Sequence, residues 1–258
     1  MNERADVEFF HLLFVRNLFV RGWTGRYEYA LKGGASMRFF FGSPRYSEDI
    51  DLDAFIPCRT VLANVRGVLA SRPLVERLLR AGLRMETSEP KQTETTQRWK
   101  VTLIDDESGR AIPTKVEISR RNEAVDENIV REHVDRVLLD RYHVAGINVP
   151  HYVAGAALAQ KANALATRTV SQARDVFDMA WLDVEVGAKI LPIDEATRSH
   201  AIDRLLGLSF RDYSAQMIPY LEPDLRDQHS SEEAWNAMQM RVLDLLGGSG
   251  PGAAGGAL

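Results

Sequence analysis

The chain has 258 residues, of which 45% are hydrophobic and 26% charged, with a formal net charge of −4. That length and balance suit one large folded domain or two smaller ones and argue against a protein coated in basic surface, while leaving room for a local basic groove. Cys58 is the single cysteine, so an internal disulfide is excluded and a reducing compartment is expected.

In chain order, residues 7–21 place Phe9, Phe10, Leu12, Leu13, Phe14, Leu18 and Phe19 at a spacing that predicts a helix with a broad apolar face. Charges recur through this segment at Asp6, Glu8, Arg16 and Arg21. It therefore suits neither a signal peptide nor a membrane span, and a cytoplasmic protein without membrane association is expected. Tyr29 to Lys32 reads as a short strand running into a Gly33-Gly34 turn. Ala35 to Phe41 reads as a helix stopped by Gly42 and Pro44, and Asp49 to Phe55 as a strand ended by Pro57. Thr60–Ala70 and Leu74–Ala81 read as helices. The period then changes to two: Arg98–Leu103 and Lys115–Ser119 alternate on either side of a turn and predict a hairpin extending the same sheet.

Beyond about residue 125 no strong strand pattern appears. Val130–Leu139, Val153–Thr167, Arg174–Val186, Glu195–Leu206 and Ser231–Leu246 read as helices, with Gly146–Pro150 as a joint. The expected organisation is an α/β domain over residues 1–145, a helical domain over 146–246 and a disordered Gly/Ala-rich tail over 247–258.

Alternation along a strand puts Asp49, Asp51 and Asp53 on one face and Ile50 and Leu52 on the other. Carboxylates so close repel one another, and a bound divalent cation removes that penalty. Mg²⁺ takes oxygen ligands, often one or two carboxylates plus substrate phosphates. A solvated acidic face at a sheet edge is the alternative. Glu117, between Val116 and Ile118, is a candidate third carboxylate, or else an exposed strand position. Gly33-Gly34 opening a helix offers close backbone approach and free N–H groups to an anion. Ser36 and Ser47 add hydroxyls, and Lys32 and Arg38 add charge; a tight turn without ligand is the alternative. The six histidines lack metal-ligand spacing, so zinc is not expected. Trp23, Trp99, Trp181 and Trp235 read as core or interface residues.

Lys32-Gly33-Gly34-Ala35-Ser36-Met37-Arg38, with Ser47-Glu48-Asp49-Ile50-Asp51-Leu52-Asp53, resembles the signature of the AbiEii/AbiGii-type toxins. These are nucleotidyltransferase-like proteins of type IV toxin–antitoxin and phage-defence systems and include the MenT-type toxins. The stretch from Lys161 to Arg168, followed by Arg174 to Met179, resembles the family's later Lys…Arg…Arg-Asp-x-x-Asp motif, and the Val116–Ser119 strand also fits. The likeness covers roughly residues 25–182. Ala35-Ser36 stand where Thr-Ala is common, and Tyr46 where Phe is common.

The resemblance implies a nucleotidyltransferase-like mixed sheet with flanking helices plus a C-terminal helical domain. It implies an NTP cosubstrate with Mg²⁺, an RNA acceptor such as the tRNA 3′ end, and a cognate antitoxin. Asp49 and Asp51 take the metal role under it, Ser47 a phosphate-contacting role, and Lys161 and Asp175 the later catalytic positions. Read without it, Lys161 and Arg168 lie seven apart on one helical face and suit a phosphate, while Arg174 and Asp178 have the spacing of an ordinary helix ion pair.

The expected protein is thus a Mg²⁺-dependent nucleotidyltransferase. Asp49, Asp51, Glu117, Lys161 and Asp175 are its catalytic set, and Lys32, Gly33, Gly34, Ser36, Ser47 and Lys161 hold the nucleotide. A catalytically silent binding module on the same scaffold, and kinase-like phosphoryl transfer to a protein, are the alternatives.

Overall fold

The alternating run Asp49–Ala54 lies near the middle of the sheet that organises the first half of the chain. The computed structural model describes residues 3–20, 26–121, 124 and 126–247. Arg21, Trp23 and the expected tail after Gly247 lie outside the described residues. The chain divides into two units: residues 1–42 with Tyr46–Tyr152, and Ser43–Arg45 with the chain from Val153 onward.

The first unit contains α1 (Glu3–Phe19), β1 (Tyr29–Lys32), α2 (Gly33–Phe40), β2 (Asp49–Ala54), α3 (Cys58–Leu69) and α4 (Arg72–Arg80). These are followed by β3 (Leu83–Gln92), β4 (Thr96–Asp105), β5 (Ala111–Ser119), β6 (Ile129–His133), α5 (Arg136–Arg141) and β7 (Asn148–Tyr152). The described strands form one mixed sheet in the order β3-β4-β5-β2-β1-β7-β6. Only the β2–β5 and β1–β7 pairs in it are parallel.

Ile50 and Leu52 on β2, Val116 and Ile118 on β5, and Trp99, Val101 and Leu103 on β4 all point to one face and are buried with α1, α3 and α4. Each such side chain contributes about 1.5–3 kcal/mol. Helix α1 is buried on nearly every side, so its polar residues need internal partners. Glu8 accepts from Arg38 Nε at 2.6 Å and from the Tyr142 hydroxyl at 2.8 Å. His11 Nε2 lies 2.9 Å from the Thr114 hydroxyl, and burial pushes its pKa down to about 3, so the ring is neutral.

Three stretches differ from the sequence expectation. Leu83–Gln92 forms β3, an edge strand exposed along most of its length. With little to bury it shows no alternation, and its register shifts between Ser88 and Lys91, around Pro90. Ile129–His133 is β6 rather than the start of a helix; Asp135 then caps α5 by accepting from the Val137 and Leu138 N–H groups. Asn148–Tyr152 is a strand parallel to β1 rather than a joint, so the sheet runs to Tyr152 and the first unit ends there rather than at residue 145. Both segments hold few residues, and partners distant in sequence, not local pattern, make them strands.

The second unit contains α6 (Ala154–Thr167), α7 (Ala173–Val184), α8 (Glu195–Leu206), α9 (Phe210–Gln216), α10 (Arg226–His229) and α11 (Glu232–Leu245). Small residues let α6 sit close to its neighbours, and it contacts both α7 and α8. Helix α9 was not expected; a reciprocal Ser209–Asp212 capping box starts it. Trp235 stacks on Tyr213 with ring centroids 4.9 Å apart, and Trp99 and Trp235 are both core residues as expected. No helix among the described residues is long and apolar enough to cross a membrane.

Candidate active site

Strand register decides which charges meet on the face opposite the core. Asp51 stands between Lys32 on β1 and Glu117 on β5, Asp49 beside Lys115, and Asp53 beside Ser119. One strand further out, Arg98 stands beside Glu117 and Lys100 beside Lys115. Across β1, β2, β5 and β4 one row therefore reads Lys32-Asp51-Glu117-Arg98, with two acids side by side, and the next Asp49-Lys115-Lys100, with two bases side by side.

The three aspartates differ in their partners. Asp53 is fully buried and paired: Lys32 Nζ lies 2.5 Å from Oδ1, and the Tyr152 hydroxyl donates to Oδ2 at 2.6 Å. Asp49 is partly exposed and its Oδ2 lies 2.5 Å from Lys115 Nζ. Asp51, between them, receives neither a hydrogen bond nor a direct ion pair among the described residues. Burial, then the adjoining Asp49, and more weakly Glu117, push its pKa up, against the opposing pull of Lys32 and Lys115.

Gly33 explains the shape of the space over Asp51. It opens α2 with φ of +68°, and a Cβ there would lie 2.7 Å from Asp51 Oδ2. Only glycine lets the turn come so close. The start of α2 carries no side-chain cap, and the buried Ser36 hydroxyl one turn in has no hydrogen-bond partner among the described residues. Uncapped N–H groups and an unsatisfied hydroxyl in the first turn of α2, with the Asp51 carboxylate of β2 against Gly33, are groups that suit an anion carried with a cation. Gly33→Ala is expected to cost about 1–2 kcal/mol in strain, and to reduce any Asp51-dependent activity far more than stability. Thermal melts compared with turnover measure the two effects.

The remaining residues expected here are placed as follows. Ser47 donates its hydroxyl to the Asp49 carbonyl at 2.8 Å, bracing the start of β2. Arg38 is buried against Glu8 and lies 4.9 Å over the Tyr46 ring, so it serves the core rather than a ligand. Glu117 accepts from Arg98 Nε at 2.7 Å. Asp49 and Glu117 of the expected trio both adjoin Asp51, but they are paired with Lys115 and Arg98, and no group of three His, Cys, Asp or Glu side chains among the described residues is arranged to hold a metal. Asp49 and Asp51 still fit Mg²⁺, which needs only one or two protein carboxylates when phosphates and water complete its shell.

In the second unit, α6 and α7 bring Lys161 and Asp175 together as expected, with Lys161 Nζ 3.3 Å from Asp175 Oδ1. Arg168 Nε lies 2.8 Å from Asp175 Oδ2. Lys161 Nζ also lies 2.6 Å from Asp178 Oδ2. Arg45 makes a two-pronged pair with Asp178, at 3.0 and 2.7 Å. Burial pushes the Asp178 pKa up, but Arg45 and then Lys161 more than offset this and hold it below the usual carboxylate range. Asp178 is therefore a buried hub and not half of a surface helix pair. Arg45, in the segment read only as a helix stop, carried no local signal. Lys115 and Arg98 were visible as alternating strand residues, but their partners depend on register.

Two solved structures define the class of fold. A candidate nucleotidyltransferase from Helicobacter pylori matches with a TM-score of 0.62 and 19% identity, covering 96% of each chain. JHP933 from the same organism matches with a TM-score of 0.59 and 17% identity, covering 96% of this chain and 93% of its own. At such identities the likeness establishes the fold, a nucleotidyltransferase-like mixed sheet with flanking helices. Residues 24–247 match the model of the nucleotidyl transferase AbiEii toxin family of type IV toxin–antitoxin systems, and the chain belongs to that family. No curated protein matches it.

Proposed function

We propose that this toxin-family protein transfers a nucleotidyl group from an NTP to an RNA acceptor, the tRNA 3′ end, in the cytoplasm, and that a cognate antitoxin restrains it. The observation that carries this reading is Asp51: a carboxylate without a direct partner among the described residues, beside Asp49 and against a glycine turn that opens a helix. Asp49 and Asp51 would hold Mg²⁺, which would neutralise polyphosphate charge and favour in-line displacement at phosphorus. The Gly33-Gly34 turn, the Ser36 hydroxyl and Lys32 receive phosphate oxygens. Ser47 keeps β2 in register, and Glu117, fixed by Arg98, orients the attacking hydroxyl. In the second unit turnover depends on Lys161, with Asp175 and Asp178 as its positioning residues. The acceptor oxygen bonds to the α-phosphorus, the bond to the β-phosphate bridge breaks, and pyrophosphate leaves. Such catalysis is mainly positioning and charge neutralisation.

The test is incubation with each α-labelled NTP and total tRNA, with Mg²⁺ or with EDTA. The expected result is α-label in RNA with Mg²⁺ and none with EDTA. Transfer of γ-label alone would identify phosphoryl transfer to another acceptor, and no transfer together with no nucleotide binding would identify a silent scaffold.

A further inference from the structure

Lys115 has a place on the acidic face that the reading above leaves unused. It lies on β5 beside Asp49 in the parallel register. Its ammonium is 2.5 Å from Asp49 Oδ2, and 34% of its side chain is exposed, against 19% for Asp49. The neighbouring cations have other carboxylate partners: Lys32, while open enough to meet a phosphate, pairs with the buried Asp53, and Arg98 pairs with Glu117. Lys115 alone among these three has a proposed metal ligand as its partner. An ammonium is a compact, hydrated point charge on a flexible stem. With a third of the side chain open to water, it can leave the partly exposed Asp49 without stranding a buried charge, whereas Lys32 leaving Asp53 would deprive a fully buried carboxylate of its ammonium.

We infer that Lys115 is a positioning residue for transfer, the resident counter-ion of Asp49, which yields that carboxylate to an entering divalent cation and turns to the phosphate oxygens arriving with it. This rests on Asp49 and Asp51 being the metal pair. It has a consequence that a purely structural lysine would not produce. While in place, Lys115 competes with the metal for Asp49, so its removal strengthens metal binding even as it weakens the metal-free fold and nucleotide capture. A lysine that merely shaped the strand would, on removal, leave metal affinity unchanged or lower it.

The experiment uses the full chain and Mn²⁺ alone as the probe, measured by calorimetry and by the electron paramagnetic resonance of free Mn²⁺. Lys115→Met is expected to bind Mn²⁺ about tenfold more tightly than wild type, because a nearby positive charge is gone. Lys115→Arg should restore the wild-type affinity. In EDTA the Met variant should melt a few degrees lower, with added Mg²⁺ closing the gap, and its KM for the NTP should rise. Should Lys115→Met fold poorly, Lys115→Gln carries the same expectation with a polar side chain of similar reach. If wild type binds Mn²⁺ and a folded Met or Gln variant binds it equally or less tightly, the role of Lys115 is overturned while the metal pair stands. If wild type and Asp49→Asn both fail to bind Mn²⁺, the metal pair itself is wrong and Lys115 loses its role with it.

Discussion

Replacing Asp51 with Asn is expected to lower nucleotidyl transfer on the order of 10³-fold or more while leaving the melting temperature at or above that of wild type. The two effects have one cause. Asp51 is the carboxylate on its face without a direct partner among the described residues, and burial, Asp49 and Glu117 all disfavour its charge. Asn keeps the shape and removes the charge, so the fold loses a repulsion. The proposed site loses a metal ligand, and losses of that size follow when a charge-stabilising group is removed from a preorganised site. Asp49→Asn should be as inactive but slightly less stable, because it leaves Lys115 without its carboxylate. Labelled-NTP transfer and differential scanning calorimetry on the same preparations measure both quantities. An Asp51→Asn protein that transfers at the wild-type rate would remove Asp51 from the chemistry, and one that unfolds would make it a structural residue.

Replacing Asp178 with Ala should produce the largest loss of stability of any single change discussed here, about 3–5 kcal/mol. Asp178 is fully buried and holds both prongs of Arg45 and the ammonium of Lys161. Removing it takes the two-pronged carboxylate from a buried guanidinium, and Asp175 then keeps its own contacts to Lys161 and Arg168. Asp178→Asn should fall between, since it keeps hydrogen-bond acceptance and loses charge. The contrast is Glu76→Ala, whose exposed i,i+4 partners Arg72 and Arg80 predict a change of no more than about 0.5 kcal/mol. Urea unfolding followed by tryptophan fluorescence, to which Trp181 and Trp235 of the second unit contribute alongside Trp23 and Trp99, measures the loss, and an Asp178→Ala midpoint equal to wild type would contradict the hub role.

Much of the acidic face was legible from residue order. Strict alternation from Asp49 to Asp53 fixed which side chains point away from Ile50 and Leu52, because the pleat of a strand is a local property. The Gly33-Gly34 turn was visible for the same reason, since turns are set within a few residues, and so was the shared helical face of Lys161 and Arg168; Lys161 and Asp175 were paired only through the family resemblance, and they meet because α6 and α7 pack together. The strands β3, β6 and β7 were not visible. Leu83–Gln92 buries too little to show a pattern, and Ile129–His133 and Asn148–Tyr152 are strands because each finds a partner.

Local order therefore specified the face, its acids and the glycine turn beside them. The folded chain decided the neutralisation: Lys32 with Asp53, Lys115 with Asp49, Arg98 with Glu117, Arg45 with Asp178, and Asp51 with no direct partner among the described residues. The reason is physical. A face follows from backbone geometry one residue at a time, whereas an ion pair forms only between charges that register and packing bring within a few ångströms, and those partners lie from about twenty to more than a hundred positions apart in the chain.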